Sequence, residues 1–416
     1  MPAVSDAVTQ SAKGAVEIAL GLVGQMALWL GLMAVLREAG AMAFIARLTR
    51  PLMGRLFPSI PRDHPAMGAM VLNIAANIVG LTNAATPFGL RAMVELGKLN
   101  KRAGVATNDM ALFLAINTSG VAVLPLGAIA VRASLGSKDA ASIVLPSLVS
   151  TAVSTVVAVL VCKAYERLPI FAVDRTPSPL ETLATSPQAA NDSVNLELPS
   201  APPPVRGPVR WALWAYAVAL VTLGAMAVAG PSDASAWAAV QSVLSSWVLP
   251  VILVAIVGVG LSRGVRIYEV LVKEAKEGFT VAITIIPFLV AILVAIGMFR
   301  ASGAMDAFAS FIGPVTSRVG LPAEAVPMAL MRPFSGSGSL AVMIDTMKRH
   351  GTDTFVGFLV SLINGSSETT FYVLSVYFGA VQVRAVRHTL AACLTSDVLG
   401  LVITVALAHF FFVAPA

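Results

Sequence analysis

The sequence has few charged residues, only two cysteines and only four histidines. Charged residues make up 12% of the 416 residues, whereas a soluble domain carries about a quarter, so the composition excludes an ordinary soluble enzyme. Cys162 and Cys393 lie inside apolar runs and support neither a disulfide framework nor a thiolate metal site. No histidine lies at metal-ligand spacing from another histidine or a carboxylate. We therefore expect no metal site, no cofactor and no catalytic residue.

Apolar residues occur in long runs. They make up 57% of the chain, and the mean hydropathy is +0.83. A membrane span needs about 20 apolar residues. Because the runs are continuous and do not alternate, they predict an all-α polytopic membrane protein and disfavour a β-barrel. We expect about eight transmembrane helices, at 15–36, 107–131, 140–162, 211–229, 237–261, 279–299, 352–379 and 389–412.

Two further apolar stretches, 65–90 and 323–346, are interrupted by polar residues, glycine and proline. Irregular backbone cannot face lipid, because each unsatisfied amide costs several kcal/mol, so it must be buried in protein or line a watery cavity. We therefore predict two re-entrant helical hairpins. An amphipathic segment precedes each of them, at 41–57 and at 303–318, and is expected near the membrane interface.

Residues 171–208 are rich in proline and small polar residues and poor in large apolar ones. Such a composition cannot bury a core, so it predicts a disordered linker on the cytoplasmic side. The linker separates two membrane units, 1–170 and 209–416.

The two units resemble each other. Residues 36–42 align with 299–305 at an offset of 263, and residues 116–119 align with 363–366 at an offset of 247. Each unit has the same predicted order of elements: a span, an amphipathic segment, a hairpin, a span with a kink at its Asn and Ser residues, and a final span. Five spans separate equivalent points, so we expect an inverted-topology repeat. Inverted repeats with paired broken helices indicate a secondary transporter whose site lies at the repeat interface.

Three charged residues lie deep inside the predicted membrane segments, away from their ends: Arg332, Glu368 and Asp397. Such charges are expensive in lipid and are usually functional. Arg332 and Glu368 have opposite signs and lie in adjacent elements. They are interpreted either as a structural ion pair or as part of a solute site, in which Arg332 binds an anionic or carbonyl group and Glu368 binds a cation, a proton or a donor.

Uncharged polar residues in the broken segments are further candidates for binding a solute or a coupling ion, Na⁺ or H⁺. With the two charged residues, the predicted substrate-binding set is Asn73, Asn77, Asn83, Thr86, Asn117, Ser119, Arg332, Ser335, Ser337, Ser339, Asn364, Ser367, Glu368 and Thr369. Interhelical hydrogen bonding is the alternative role for each uncharged member. No serine has the frame of a hydrolase nucleophile, and no phosphate-binding loop indicates ATP-driven transport.

These motifs resemble a known family. The segment from Asn73 to Met93 resembles the spore maturation protein A family, and the segments 332–339, 364–372 and 377–379 resemble the spore maturation protein B family. The chain therefore looks like a fusion of the two. Both belong to the nucleoside-recognition, or Gate, group of integral membrane proteins, and the resemblance implies kinship with nucleoside transporters. It supplies neither a settled substrate nor a catalytic residue.

The leading functional interpretation is a secondary transporter of the cell inner membrane for a small polar or anionic solute, either nucleoside-like or a small carboxylate. The alternative is a non-transporting scaffold or an accessory subunit of an envelope complex. We do not expect an enzyme.

The expected partners are the solute and membrane lipids, with a homo-oligomer left open. Because the basic residues cluster at the ends of apolar runs, they indicate membrane orientation and no nucleic-acid partner.

The distribution of basic residues predicts the topology. With both termini outside, 20 of the 28 Lys and Arg residues lie on the cytoplasmic side and 8 on the other, as the positive-inside rule requires.

Cysteines introduced as Ser193→Cys and Ala414→Cys, with Cys162 and Cys393 replaced by alanine, should react with impermeant maleimide from opposite sides. We expect only the residue-414 label from outside; labelling of both sites there would contradict the topology and the inversion of the repeats.

Overall fold

The computed structural model describes residues 2–171, except 81, 121 and 123, and residues 250–412. These residues form α-helices and short 3-10 turns, and no β-strand occurs among them. The predicted span 211–229 lies outside the described residues, as do most of the predicted span 237–261 and the linker 171–208 beyond Phe171.

The helices are numbered in chain order. The first half contains α1 Pro2–Glu38, α2 Ala41–Leu56, α3 Pro65–Val79, α4 Thr82–Leu99, α5 Asn108–Ser119, α6 Leu126–Ser134 and α7 Val144–Glu166. The second half contains α8 Pro250–Ser262, α9 Ile267–Ala301, α10 Ala304–Thr316, α11 Val326–Met331, α12 Gly336–His350, α13 Phe355–Gly365, α14 Thr370–Ala380 and α15 Thr389–Phe411.

Within the described ranges, three helices are long and apolar enough to cross a membrane: α1 over Val8–Glu38, α7 and α15. They match the predicted spans 15–36, 140–162 and 389–412. A fourth candidate is bent, because α8 meets the first part of α9, Ile267–Lys276, at an angle of 120°. The total of eight spans stays a prediction.

Two predicted spans, 107–131 and 352–379, are wrong as continuous helices. The first is divided after α5, where the described residues 120, 122, 124 and 125 are not helical, and α6 begins at Leu126; the second is divided into α13 and α14 by residues 366–369. Gly120 and Pro125 flank the first break, where glycine favours an irregular backbone and proline lacks an amide hydrogen. The kink that we expected after each asparagine is therefore a complete break.

The predicted hairpin regions are pairs of helices. In the first, α3 packs against α4, and Gly80 ends α3 with φ of +86°; the second helix continues to Leu99, beyond the predicted limit of 90. In the second, α11 packs against α12, which extends to His350, beyond the predicted 346. Whether either pair re-enters the membrane stays a prediction.

Residues that align between the halves occupy equivalent places in the structure. Gly40 precedes α2 with φ of +81°, and its counterpart Gly303 precedes α10 with φ of +78°. Asn117 and its counterpart Asn364 lie in the last turns of α5 and α13. The order of elements thus repeats, whereas the inversion of the repeats across the membrane stays a prediction.

Helix α5 forms the centre of the protein. All its residues from Met110 to Ser119 are buried, as expected for a helix that is surrounded by others. It packs against α7, α14 and α15. Thr107 starts the helix by accepting a hydrogen bond from the Met110 amide at 3.1 Å, which satisfies one of its free N–H groups.

Arg132, near the end of α6, joins the two halves. Its side chain is only 2% exposed, and it donates hydrogen bonds to the Thr352 carbonyl at 2.8 Å and to Asp353 Oδ1 at 3.1 Å. It also donates to Ser361 Oγ, within α13. A buried guanidinium with this many partners fixes the end of α6 against the start of α13.

Helices α1 and α9 pack closely together, with an ion pair between Arg37 and Glu274. A Cβ atom on Gly31 would lie 2.8 Å from Leu271 Cγ and 3.1 Å from the Leu271 carbonyl oxygen. Gly31 therefore permits the close approach of the two helices.

We predict that Gly31→Val destabilises the protein by about 1–3 kcal/mol, the usual cost of overpacking, because α1 and α9 must separate. Gly21→Val in the same helix is the matched control, since a Cβ atom there meets nothing within 4 Å. Thermal unfolding of the purified chain in detergent should show a lower midpoint for the first variant only. Equal midpoints would mean that the contact at Gly31 is not tight.

Candidate functional site

A cavity of about 280 Å³ lies where the two helix breaks meet. Its walls come from α1, the end of α3, the first break with the start of α6, the residue after α11, and the second break. The lining residues are Trp29, Leu30, Asn77, Gly80, Gly120, Ala122, Leu124, Pro125, Leu126, Gly127, Ala128, Ala130, Arg332, Asn364, Gly365, Ser367 and Glu368.

The two breaks hold each other through their backbones. The Glu368 amide in the second break donates a hydrogen bond to the Thr118 carbonyl, at the end of α5, at 2.9 Å. A Cβ atom on Gly365 would lie 2.7 Å from Pro125 Cβ in the first break. A backbone amide of one break thus finds its hydrogen-bond acceptor at the other break, which allows both breaks to persist inside the protein.

The turn between α11 and α12 is attached to the start of α14. The Phe371 amide donates to the Pro333 carbonyl at 3.0 Å, and the rings of Phe334 and Phe371 stack with centroids 4.7 Å apart. Ser335 caps α12 by accepting a hydrogen bond from the Gly338 amide at 3.0 Å. These contacts fix Arg332, which lies at the start of the turn, beside the cavity.

Arg332 is a buried cation with an incomplete set of partners. It is 9% exposed; one terminal nitrogen donates to Ser339 Oγ at 3.4 Å, and its Nε is buried without a partner. Glu368 and Asp397 are the carboxylates whose charges act on it. Arg332 therefore keeps a buried donor that no described residue satisfies.

Glu368 contributes the only carboxylate among the cavity's lining residues in the described part of the chain. No ion pair joins it to Arg332, and its carboxylate makes no hydrogen bond with any residue that the structure describes. The structural ion pair that we considered from the sequence is therefore absent between these two residues. Asp397 instead accepts a hydrogen bond from Thr370 Oγ1 at 2.7 Å, outside the cavity.

Three uncharged predicted residues also line the cavity: Asn77, Asn364 and Ser367. Asn77 donates to Asn117 Oδ1 at 3.1 Å, and Asn117 in turn donates to the Phe113 carbonyl at 2.8 Å. Asn364 donates to Ser339 Oγ at 3.4 Å. Asn117 and Ser339 therefore orient residues of the cavity without lining it.

The other predicted residues lie outside the cavity lining. Asn73 donates to the Ala85 carbonyl at 2.8 Å and to Tyr377 Oη at 3.3 Å, and Ser119 donates to Thr155 Oγ1 at 3.1 Å. The side chain of Asn83 is outside the described part of the structure. The remaining residues that do not line the cavity are Thr86, Ser335, Ser337 and Thr369.

Trp29 and Leu30 of α1 and the start of α6 line the cavity but were not predicted as site residues. No feature of the α1 sequence distinguishes Trp29 or Leu30, because an apolar helix has the same composition whether it faces lipid or a cavity. Gly120 and Pro125 inside one predicted span could have indicated the start of a new helix at Leu126, whose first residues line the cavity.

The cavity combines donors and acceptors within a small volume. Arg332 and the N-terminus of α6 favour a negative group, whereas Glu368 favours a positive group or a donor. Asn77, Asn364 and Ser367 supply uncharged hydrogen-bonding groups. Among the described residues, no group of three or more His, Cys, Asp or Glu could hold a metal ion.

The contact between Asn73, Gly89 and Tyr377 provides a test of the packing beside the cavity. A Cβ atom on Gly89 would lie 2.1 Å from Tyr377 Oη and 2.8 Å from Asn73 Nδ2. We predict that Gly89→Ala lowers the free energy of unfolding by about 1–3 kcal/mol, despite the better helix propensity of alanine. Gly127→Ala, where a Cβ meets nothing within 4 Å, is the control in denaturation of the purified chain; an unchanged stability of the Gly89 variant would contradict the contact.

Comparison with known proteins identifies the relatives of the chain. The family model described as nucleoside recognition matches residues 19–162 and 282–384. Spore maturation protein B of Bacillus subtilis (strain 168) is 41% identical over 169 residues, which cover 41% of this chain and 95% of that protein. Spore maturation protein A of the same organism is 42% identical over 158 residues, which cover 38% of this chain and 81% of that protein.

Among solved structures, the crystal structure of the Alcanivorax borkumensis YdaH transporter aligns over 97% of this chain and 87% of that chain, with 13% identity and a TM-score of 0.38. The resemblance to spore maturation proteins A and B that the sequence motifs predicted is confirmed. With its apolar helices and its match to the family model over both halves, the chain belongs to the nucleoside-recognition, or Gate, family and is a multi-pass membrane protein.

Proposed function

We propose that this protein is a secondary transporter for a small polar or anionic solute. One observation carries the proposal: the meeting point of two broken helices encloses a cavity of about 280 Å³ that holds the guanidinium of Arg332 and the carboxylate of Glu368 without an ion pair between them. Two opposite charges that line one cavity and form no ion pair fit a ligand that meets both.

The cost of these charges supports a binding role. Translocon scales assign about 2.5–3.5 kcal/mol to an arginine at the centre of a span. A structural role would reduce that cost through a direct partner, but Arg332 Nε has none. A solute that accepts hydrogen bonds from Arg332 would supply the missing partner.

Broken helices are the usual means of building a solute site in secondary transporters, because helix N-termini bind anionic groups and freed carbonyls bind cations. Here α6 begins at the cavity, and α5 and α13 end beside it. A solute carboxylate or a hydroxyl-rich nucleoside would use Arg332 and the start of α6. The coupling ion, Na⁺ or H⁺, would use Glu368.

The family description, nucleoside recognition, supports a nucleoside-like solute, and the buried guanidinium supports a small carboxylate. Uridine and succinate are therefore the first probes. The inverted arrangement of the two halves and residence in the inner membrane are parts of the same proposal, since alternating access in many transporters uses inverted repeats.

The test is uptake of radiolabelled uridine and succinate into proteoliposomes under an imposed Na⁺ or H⁺ gradient. We predict that the double variant Arg332→Met, Glu368→Leu folds but loses at least about tenfold in uptake, because the solute loses its charged partners. Replacing both charges with apolar groups avoids leaving one of them buried alone, which would destabilise the fold under any function.

The matched control is Arg266→Met, Glu269→Leu, which makes the same substitutions in an ion pair near the start of α9 that is 79% and 65% exposed. Its uptake should equal that of the original chain. Full uptake by the cavity variant would remove Arg332 and Glu368 from the site. Absence of flux for every probe and gradient, with co-purification of another envelope complex, would favour the scaffold or accessory subunit instead.

A further inference from the structure

A second concave site lies between α2 and α3, away from the cavity. This groove has a volume of about 520 Å³, and four arginines line it: Arg47 and Arg50 from α2, Arg62 from the loop before α3, and Arg91 from α4. We call it the arginine groove. Four guanidiniums around one groove repel each other unless negative charge lies between them.

The protein itself supplies little negative charge there. The one carboxylate that lines the groove, Asp63, is 3.9 Å from Arg50 and has a fully exposed side chain, and such a surface pair neutralises charge weakly. Arg47 and Arg62 form no ion pair with any described residue. The groove therefore keeps a surplus of positive charge.

Arg91 also indicates that the groove lacks negative charge. One of its terminal nitrogens pairs with Glu95 at 3.0 Å, but its Nε is buried without a hydrogen-bond partner. Glu95 is shared with Lys98, at 2.8 Å. An anion in the groove would complete the hydrogen bonding of Arg91, and guanidinium groups bind phosphate through paired hydrogen bonds.

Three small residues line the groove, Ala43, Ala46 and Gly68, and we call them its floor. A Cβ atom on Gly68 would meet nothing within 4 Å. Arg62 folds back over α2, with its Nε 3.8 Å from the Cβ position of Gly54. The space therefore remains unfilled by the arginines that surround it.

An apolar stripe runs along α2 beside the arginines. Phe44, Leu48 and Leu52 are 66%, 67% and 55% exposed, and their spacing of four residues puts them on one side of the helix. Arg47 lies next to this stripe. A helix with an exposed apolar side and a basic side lies in the interface of a membrane.

The repeat shows that the two arginines of α2 in the groove, Arg47 and Arg50, are not required by the place of that helix in the fold. The equivalent helix in the second half, α10, spans Ala304–Thr316 and contains no arginine or lysine. These two arginines are thus a feature of one half only. That half is the one whose α2 the basic-residue distribution predicts on the cytoplasmic side, where anionic lipids attract basic residues.

We propose that the arginine groove binds the phosphate headgroup of an anionic phospholipid whose acyl chains lie along Phe44, Leu48 and Leu52. The lipid is favoured over a free phosphate ion because it uses both features, the basic groove and the apolar stripe. A zwitterionic phospholipid binds more weakly, because the arginines attract its phosphate but repel its ammonium group.

The test measures binding of a fluorescent phosphatidylglycerol to the purified full chain in a nonionic detergent, with fluorescent phosphatidylcholine for comparison. The triple variant Arg47→Gln, Arg50→Gln, Arg62→Gln should weaken phosphatidylglycerol binding on the order of 100-fold, from about 1 kcal/mol per arginine. Phosphatidylcholine should bind weakly to both proteins.

The matched control removes three positive charges elsewhere: Lys13→Gln, Arg55→Gln and Arg318→Gln. Arg55 belongs to α2 but does not line the groove. This control should keep the affinity for phosphatidylglycerol. Equal losses in the two triple variants would overturn the proposal, because net charge and not the groove would then explain binding.

A second variant, Gly68→Leu, fills the floor and leaves every charge in place. We expect it to weaken phosphatidylglycerol binding at least about tenfold, so the proposal is testable even if the arginine variant does not fold. Unchanged lipid binding by Gly68→Leu would overturn it. So would full competition by millimolar inorganic phosphate, which would identify a phosphate-ion site without a role for the acyl chains.

Discussion

The structure depends on the hydrogen bond between two helix breaks. A helix that stops inside an apolar environment leaves N–H and C=O groups without partners, at several kcal/mol each. Here the Glu368 amide reaches the Thr118 carbonyl, and the Phe371 amide reaches the Pro333 carbonyl. Each break is therefore stable only because another broken segment lies against it, which requires α5, α13 and the turn before α12 to meet at one point.

The same constraint creates the cavity. Helices that end and begin at a common point leave a space that no side chain of a continuous helix would fill, and their polar residues share that space with apolar ones such as Trp29 and Leu124. The two halves contribute unequally: Asn77 from the first half is uncharged, whereas Arg332 and Glu368 from the second half are charged. The order of elements repeats in the two halves, but the charged residues of the cavity come from the second half only, so the halves contribute different chemistry to the site.

Regions distant from the breaks hold these elements in position. Arg132 fixes the end of α6 to the start of α13, and the close packing at Gly31 holds α1 against α9. Helix α2 buries Met42, Ala46 and Met53 in the core, and it also exposes an apolar stripe, while two of its arginines line the arginine groove. The inner helices are therefore held by contacts between protein groups, whereas part of α2 is left to contact the surroundings of the protein.

Local properties of the sequence predicted the membrane class and the helices α1, α7 and α15, because the length of a hydrophobic run is a property of a short segment. They also predicted the interruptions near 80 and 335 and the equivalence of Gly40 with Gly303, because glycine conformation is equally local. They did not predict the complete breaks between α5 and α6 and between α13 and α14, or which residues line the cavity. Asn73 has the same polarity and a similar setting to Asn77, yet it bonds to Tyr377, 304 residues away, whereas Asn77 faces the cavity. Only the tertiary structure determines which role each residue has. The hydrogen-bond partner of a buried side-chain amide, or of a backbone group at a helix break, depends on which distant segment packs against it.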